Sequence, residues 1–298
     1  MTNFHTLSEL ASREVLDAGE AKPARLAVIG CPIAHSASPV MHQAALDAAG
    51  LPLRYVRIEV AVGRVEEALG RLRELGFIGC NVTVPHKLEV MGACDEVAAE
   101  ARALGAVNTV RFDADATRGF NTDGPGFVRS LAAEFGLALG GRKVAILGAG
   151  GGAGQALAAQ CVLEGAAGLV LVNRTEAKLA ELVPRLQALG PGVKLAPLSF
   201  ASAELADACL DCDLIVNASS VGLKPGAAAV VPAACLRPGH WVYDCIYEPP
   251  LTPLLELARA TGCRYANGRS MLIHQGALAF EHWFPGTAPL AVMTAALA

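Results

Sequence analysis

Lys143-Val144-Ala145-Ile146-Leu147-Gly148-Ala149-Gly150-Gly151-Gly152-Ala153-Gly154 decides how the rest of the chain is read. A lysine leads into four apolar residues, a run of glycines follows, and a helical pattern then runs from Gln155 to Glu164. The order is strand, glycine turn, helix. Gly148 permits a sharp turn, and Gly150 removes a side chain where a pyrophosphate must approach. The helix N-terminus offers free N–H groups to an anion. Gly148, Ala149, Gly150, Gly151 and Gly152 are therefore expected to cradle the phosphates of a dinucleotide. The plainer reading is a tight turn in an ordinary α/β domain.

Leu169-Val170-Leu171-Val172 reads as the next strand and ends in Asn173-Arg174-Thr175. A site selective for NAD usually places Asp or Glu here to bond the ribose 2′-hydroxyl. Arg174 stands there instead, with Thr175 beside it and Lys178 one turn on. A guanidinium fork matches a 2′-phosphate, which a carboxylate would repel. The expected cofactor is NADP. The alternative is that Arg174 is a solvated surface charge.

The chain has 298 residues, enough for one large or two ordinary domains. Hydrophobic residues make up 53% and charged residues 17%, as in an α/β protein with large buried cores. A net charge of -4 leaves no basic footprint for nucleic acid. The longest apolar runs are too short to span a membrane. Met1 to Gly19 is polar and mixed in charge, without the apolar segment of a signal peptide. Nine irregularly spaced cysteines argue against a disulfide framework and for a reducing cytoplasm. Cys209 and Cys212 form a C-x-x-C without a second pair or His cluster nearby, so a helix end is expected there and no metal site.

Upstream of the glycine turn, residues 1–24 read as an N-terminal extension in which Leu7, Leu10, Val15 and Leu16 suggest a short helix. Strand Leu26-Ala27-Val28-Ile29 ends in Gly30, and the loop to Ser38-Pro39 follows. Ser38 is a good N-cap and Pro39 a good first helical residue. Capping accounts for Ser38 and leaves Ser36 without a structural reason. A strand from Phe77 to Val82 delivers Thr83, Pro85 and Lys87 to a loop. A helix is expected from Asp95 to Leu104, then a strand at Asn108-Thr109-Val110, then a loop carrying Asn121 and Asp123 into helix 127–135. Three strand–loop units thus present Ser36 and Ser38; Asn81, Thr83 and Lys87; and Asn108, Asn121 and Asp123. A hydroxyl-rich small molecule requires such a set, because an unpaired buried polar group costs about 1–3 kcal/mol. Each of these residues taken singly also suits a turn or a cap. Downstream, strands and helices alternate to the end, which predicts parallel or mixed sheets covered on both faces.

In order, Gly30-x-Pro32-x-x-His35-Ser36-x-Ser38-Pro39-x-x-His42, Asn81-Val82-Thr83-x-Pro85-x-Lys87, Gly105-Ala106-Val107-Asn108-Thr109 and Asn121-Thr122-Asp123-Gly124 resemble the substrate-side motifs of the shikimate dehydrogenase family. Asn173-Arg174-Thr175, the loop from Asn217 to Gly222, Asp244-x-x-Tyr247-x-Pro249, and Gly268 with Met271-Leu272 and Gln275 resemble its cofactor-side motifs. The resemblance runs from about Arg25 to the C-terminus. It implies NADP-dependent, reversible oxidation of shikimate to 3-dehydroshikimate, a step toward chorismate and the aromatic amino acids.

The resemblance also implies two domains. A mostly parallel substrate domain would comprise residues 25–126 and 269–298, with the C-terminal helices returning to it, and a Rossmann-type NADP domain residues 127–268. Ser36, Ser38, Thr83, Asn108, Asp123, Tyr247 and Gln275 would hold the substrate, and Lys87 with Asp123 would form the catalytic pair. Ser219, Cys245 and Gly268 would join Asn173, Arg174, Thr175 and Lys178 on the cofactor. A monomer or homodimer is expected.

The pair also stands on chemistry. Oxidising a secondary alcohol requires a proton acceptor as hydride leaves. Lys87 is expected to accept the proton and Asp123 to orient it; the plainer reading is a salt bridge between two loops. Some positions depart from the family pattern: Ala37 replaces Leu between the serines, His42-Gln43 replaces His-Asn, the glycine turn has an additional glycine, and Gly154 stands where Arg is frequent. Two other readings remain open. One is a quinate/shikimate or aminoshikimate paralogue, the former with NAD or NADP. The other is a non-catalytic NADP sensor on the same fold, although a sensor has no use for Lys87 and Asp123 together.

Overall fold

The computed structural model describes residues 4–224 and 226–298. The first three positions of the expected N-terminal extension, Met1–Asn3, lie outside the described residues. The chain forms two compact units, one running to Thr122 and resuming at Leu272–Ala298, the other Asp123–Met271.

The first unit holds a seven-stranded sheet. Its strands are β1 (His5–Thr6), β2 (Ala24–Gly30), β3 (Arg54–Glu59), β4 (Gly79–Val82), β5 (Glu96–Val97), β6 (Thr109–Phe112) and β7 (Thr117–Phe120), in the order β1-β3-β2-β4-β6-β7-β5. Strands β1 to β4 run parallel, and β6 is antiparallel to both β4 and β7. The first unit also contains helices α1 (Arg13–Leu16), α2 (Ser38–Ala48), α3 (Val65–Glu74), α4 (Glu89–Ala93) and α5 (Ala99–Leu104).

Strand β2 is apolar on both faces because it is covered on both. Ala27 and Ile29 pack into one core with Val56, Ile58 and Leu72, while Leu26 and Val28 pack into another with Met41, Phe280 and Trp283. The N-terminal segment is part of this unit. Leu10 and Leu16 are buried in the first core, and Asp17 accepts from the Ala24 N–H and from Arg54 at 2.8 Å each.

Two expectations are corrected here. Residues 95–98 are not helical: Glu96–Val97 pairs with β7, and Asp95 accepts from the Thr117 N–H at 2.7 Å. The chain before Asn121 is a strand rather than a loop, because residues 117–120 supply β6 with its antiparallel neighbour.

The second unit begins with α6 (Asp123–Phe135), which takes Asp123 at its first position. A six-stranded, wholly parallel sheet follows, formed by β8 (Lys143–Leu147), β9 (Gly168–Val172), β10 (Lys194–Leu198), β11 (Leu214–Asn217), β12 (Trp241–Asp244) and β13 (Arg264–Asn267). The order is β10-β9-β8-β11-β12-β13, a doubly wound sheet whose strand order reverses between β8 and β11. Its helices are α7 (Gly152–Leu163), α8 (Glu176–Leu189), α9 (Leu205–Leu210) and α10 (Pro253–Thr261). Helix α11 (Arg269–Trp283) carries the chain back into the first unit, and α12 (Leu290–Ala296) ends it. Cys209, Cys212, Cys235 and Cys263 all lie in the second unit's core, and burial pushes the Cys212 thiol up to about 12. No group of His, Cys, Asp and Glu among the described residues is placed to hold a metal ion.

Candidate active site

In the first unit, polar residues gather at the carboxyl ends of β2 and β4, which are direct neighbours. Ser38 N–H donates to Ser36 Oγ at 3.3 Å, and helix α2 starts at Ser38 with Ala37 as its N-cap. The capping expectation is thus reversed. Ser36 holds the backbone of the helix start, while the Ser38 hydroxyl caps nothing. Arg57, on β3, clamps the same loop by donating to the Ser36 carbonyl from Nε at 3.0 Å and Nη2 at 2.7 Å. Nothing in the sequence singled out Arg57, because its partner is a backbone atom. The His-Asn departure has a local reason as well. Gln43 reaches the start of β3, accepting from the Tyr55 N–H at 3.1 Å and donating to the Leu53 carbonyl at 3.0 Å.

Thr83 follows β4 and packs tightly on Gly30, where a Cβ would come 2.5 Å from Thr83 Cγ2. Gly30 therefore has to be glycine if Thr83 is to keep its place. Lys87 lies in the next turn, half-buried, and its carbonyl accepts from the Val107 N–H at 2.9 Å.

Asn108 and Gln275 are separated by 167 positions, yet Asn108 Nδ2 donates to Gln275 Oε1 at 3.3 Å. Both are buried. Asn81, Thr109 and Thr122 complete the cluster. Asn81 Nδ2 donates to Thr109 Oγ1 at 3.2 Å, and Thr122 N–H donates to Asn108 Oδ1 at 2.8 Å. Behind Asn81, Tyr55 donates to its Oδ1 at 2.7 Å. His42 stacks on Tyr55 with ring centroids 4.4 Å apart. Complete burial pushes the His42 imidazole down to about 3, so it is neutral.

In the second unit the glycine turn follows β8. Gly148 has φ +88°, and a Cβ on it would come 2.8 Å from Ser219 Cβ at the end of β11. Gly150 is constrained by Asn173 rather than by open space for a phosphate. A Cβ there would come 2.7 Å from Asn173 Nδ2, while Asn173 Oδ1 accepts from the Gly150 N–H at 3.2 Å. Gly151 is the N-cap of α7, and Gly152 opens the helix with nothing within 4 Å of where a Cβ would stand. The first-turn N–H groups of Gly152, Ala153 and Gly154 have no intrahelical acceptor. That open, donor-rich helix start fits a pyrophosphate.

Arg174, Thr175 and Lys178 are exposed at the end of β9, and neither cation has an ion-pair partner among the described residues. They fit a 2′-phosphate. Ser219 donates to Asn217 Oδ1 at 2.7 Å. Asn217 in turn donates to the buried carboxylate of Asp244 at 3.1 Å, which also accepts from Thr252 at 2.6 Å. Burial raises the Asp244 carboxyl above its ordinary range. This network braces the loops that carry Ser219 and Cys245. Gly268 lies against Cys245, whose carbonyl carbon would be 2.5 Å from a Cβ at that position. Tyr247 is half-buried three positions after β12. Asp123, at the head of α6, is buried and falls in the second unit, while Lys87 falls in the first.

Residues 28–110 match the model of the shikimate dehydrogenase substrate-binding domain, and residues 268–298 match that of the shikimate 5′-dehydrogenase C-terminal domain. The chain is 40% identical over 268 residues to the shikimate dehydrogenase (NADP+) of Geobacter metallireducens, covering 90% of this chain and 93% of that one. It is 42% identical over 274 residues to the enzyme of the same name from Moorella thermoacetica, with 90% of each covered. A crystal structure of shikimate 5-dehydrogenase from Thermus thermophilus, in complex with NADP(H) and shikimate, superposes with a TM-score of 0.80 at 33% identity, covering 92% of this chain and 98% of that one.

Proposed function

The chain belongs to the shikimate dehydrogenase family, and we infer that it oxidises shikimate to 3-dehydroshikimate with NADP, and catalyses the reverse reduction, on the route to chorismate and the aromatic amino acids. The observation that carries the reading is the first unit's polar cluster. The Ser36–Ser38 loop and the Thr83–Lys87 turn leave neighbouring parallel strands, and Asn108 and Gln275 meet although 167 positions apart. No ordinary core has a use for so many buried amides and hydroxyls.

In this reading Ser36, Ser38, Thr83, Asn108, Asp123, Tyr247 and Gln275 bind the substrate. Lys87 takes the hydroxyl proton as the carbinol carbon loses hydride, and Asp123 orients it. Bound NADP would supply the hydride acceptor. The first-turn N–H groups of Gly152, Ala153 and Gly154, beside the backbone of the turn from Gly148 and Ala149 to Gly150 and Gly151, would hold the pyrophosphate, while Arg174, Thr175 and Lys178 would hold the 2′-phosphate. Asn173 fixes the turn from behind, and Ser219, Cys245 and Gly268 line the remainder of the cofactor's path. No helix among the described residues is long and apolar enough to cross a membrane. The absence of a disulfide among the described residues accords with a reducing cytoplasm, where we place the protein as a monomer or homodimer.

The test is the initial rate of cofactor reduction with shikimate or quinate, each paired with NADP or NAD, for the native chain and for Lys87→Ala. Shikimate with NADP is expected to be the fastest pair, and loss of the general base should lower kcat by roughly 10²–10⁴-fold. Preference for quinate or for NAD, or full activity in Lys87→Ala, would overturn the assignment.

A further inference from the structure

Each amide of the first unit's cluster meets one backbone group that cannot reverse its role, and the Thr122 hydroxyl, 3.0 Å from Asn108 Nδ2 and 3.5 Å from Gln275 Oε1, holds the Asn108–Gln275 pair from the other side. The Asn108 carbonyl accepts from Asn81 Nδ2 at 3.3 Å, so Asn81 turns Oδ1 toward the Tyr55 hydroxyl. The Thr122 N–H donates to Asn108 Oδ1 at 2.8 Å, so Asn108 turns Nδ2 toward Thr122 Oγ1 at 3.0 Å and Gln275 Oε1 at 3.3 Å. The Leu272 carbonyl accepts from Gln275 Nε2 at 2.9 Å, which leaves Oε1 as the atom facing Asn108. A carboxamide NH2 has two protons. Gln275 spends one on Leu272, and its second enters no hydrogen bond among the described residues. Its oxygen is already taken by Asn108, with Thr122 Oγ1 a further 3.5 Å neighbour.

We propose that Thr122 is a positioning residue which, backed by Asn81 and Tyr55, locks Gln275 as a hydrogen-bond donor, so that the substrate group meeting Gln275 has to be an acceptor oxygen. The proposal rests on the shikimate reading and adds a rule of selection to it. A hydroxyl or carbonyl at that place is accepted, and a donor-only ammonium is refused. An amide free to rotate by 180° would tolerate both. Thr122 removes that freedom from two sides, since its N–H fixes Asn108 and its hydroxyl sits between the two amides. Tyr55 and Asn81 remove it from behind by holding the Asn108 backbone, with Thr109 Oγ1 3.1 Å from Asn108 Oδ1.

The experiment compares Thr122→Val, which keeps the shape and loses the hydroxyl, with Thr122→Ser, which keeps the hydroxyl. Steady-state constants for shikimate and NADP are measured on the full chain alongside thermal melting. Thr122→Val should raise KM for shikimate about tenfold and leave KM for NADP unchanged, and Thr122→Ser should restore the shikimate value. In a second arm, an aminoshikimate is offered in its ammonium form. The native chain should prefer shikimate at least tenfold, and Gln275→Glu, which presents only acceptors, should narrow that preference. A Thr122→Val chain with native KM, equal effects in both variants, or an unchanged preference in Gln275→Glu would overturn the proposal. A native chain inactive on shikimate would instead break the functional reading. In that case the side-chain amide spectrum still decides the locking. The Gln275 NH2 signals, assigned by their loss in Gln275→Glu, should exchange slowly in the native chain and fast in Thr122→Val, and fast exchange in both would refute it.

Discussion

In the first unit, Asn81, Asn108, Thr109, Thr122 and Gln275 bond to one another, and none is more than 8% exposed. In the second unit, the glycine turn is bare backbone, and Arg174, Thr175 and Lys178 stand in solvent beside it. On the proposed reading the first region would meet its ligand with side chains whose orientations are fixed before binding, and a buried network of that kind is costly to leave half-satisfied. The second would meet its ligand with backbone N–H groups, and its precision would come from where a side chain is forbidden. A substitution in the first region should therefore act through lost hydrogen bonds. A substitution in the second should act through added atoms.

The contrast is broken most severely at Gly154. A Cβ there would overlap the Gly148 carbonyl oxygen and come 2.8 Å from Ala149 Cα, both backbone atoms of the turn. Gly154→Ala is expected to destabilise the chain by about 1–3 kcal/mol, as overpacking does, despite alanine's better helix propensity. NADP binding should weaken with it while the affinity for shikimate alone is kept. Urea unfolding and separate ligand titrations check both halves, and a Gly154→Ala chain as stable as the native one would show that the turn is not held by close packing.

Arg174→Ala removes charge without touching the turn. A charge-assisted hydrogen bond is worth about 1.5–3 kcal/mol, so NADP affinity should fall roughly ten- to hundredfold. NAD affinity should scarcely move, because it has no 2′-phosphate. Titrating both cofactors separates the readings, and an equal loss for the two would assign Arg174 to something other than the phosphate.

The first region responds to pH through His42. Its folded-state pKa lies near 3 against an ordinary value of about 6.5, so the native imidazole stays neutral while the unfolded one takes a proton. Stability therefore falls as pH drops from about 6.5 toward 3, by at most roughly 1.4 kcal/mol per unit. Between pH 6.5 and 5.5 the native chain should lose about 1 kcal/mol more than His42→Leu, measured by urea unfolding. Equal losses in the two chains would mean that His42 is not a buried neutral group.

How much of this was legible follows from the same contrast. The glycine turn and its strand and helix are contiguous, so Lys143–Gly154 declared them, as did Arg174 at the end of β9. The serine loop was visible, but the two hydroxyls exchanged their expected roles, because the chain begins α2 one residue early and uses Ser36 rather than Ser38 to hold its start. Helical propensity over residues 95–98 lost to pairing with β7, a partner more than 20 positions away that no local pattern announces. Arg57 and Tyr55 stayed silent because a β-strand tyrosine and a surface arginine look ordinary until their acceptors, the Ser36 carbonyl and Asn81 Oδ1, are seen. Motif resemblance brought Asn108 and Gln275 into one list. Only the fold makes them partners, and nothing local to Asn121-Thr122-Asp123 marks Thr122 as their neighbour.

The smallest effect is also the sharpest probe of the turn. Gly152 lies two positions from Gly154, and the turn carries one glycine beyond the family's common pattern. A Cβ at Gly152 would meet nothing within 4 Å, and its φ is not in the left-handed region, so glycine is not required there for folding. Replacing such a glycine by alanine restricts the unfolded chain and gains about 0.4–1 kcal/mol. Gly152→Ala should thus melt slightly higher than the native chain, the opposite sign to Gly154→Ala on the same helix turn. If the open space beside Gly152 is where the pyrophosphate lies, KM for NADP should rise a few-fold while KM for shikimate holds. A melting gain with unchanged NADP kinetics would mean that the phosphates sit on the Gly150–Gly151 side alone, and that the additional glycine widens the turn without serving the cofactor.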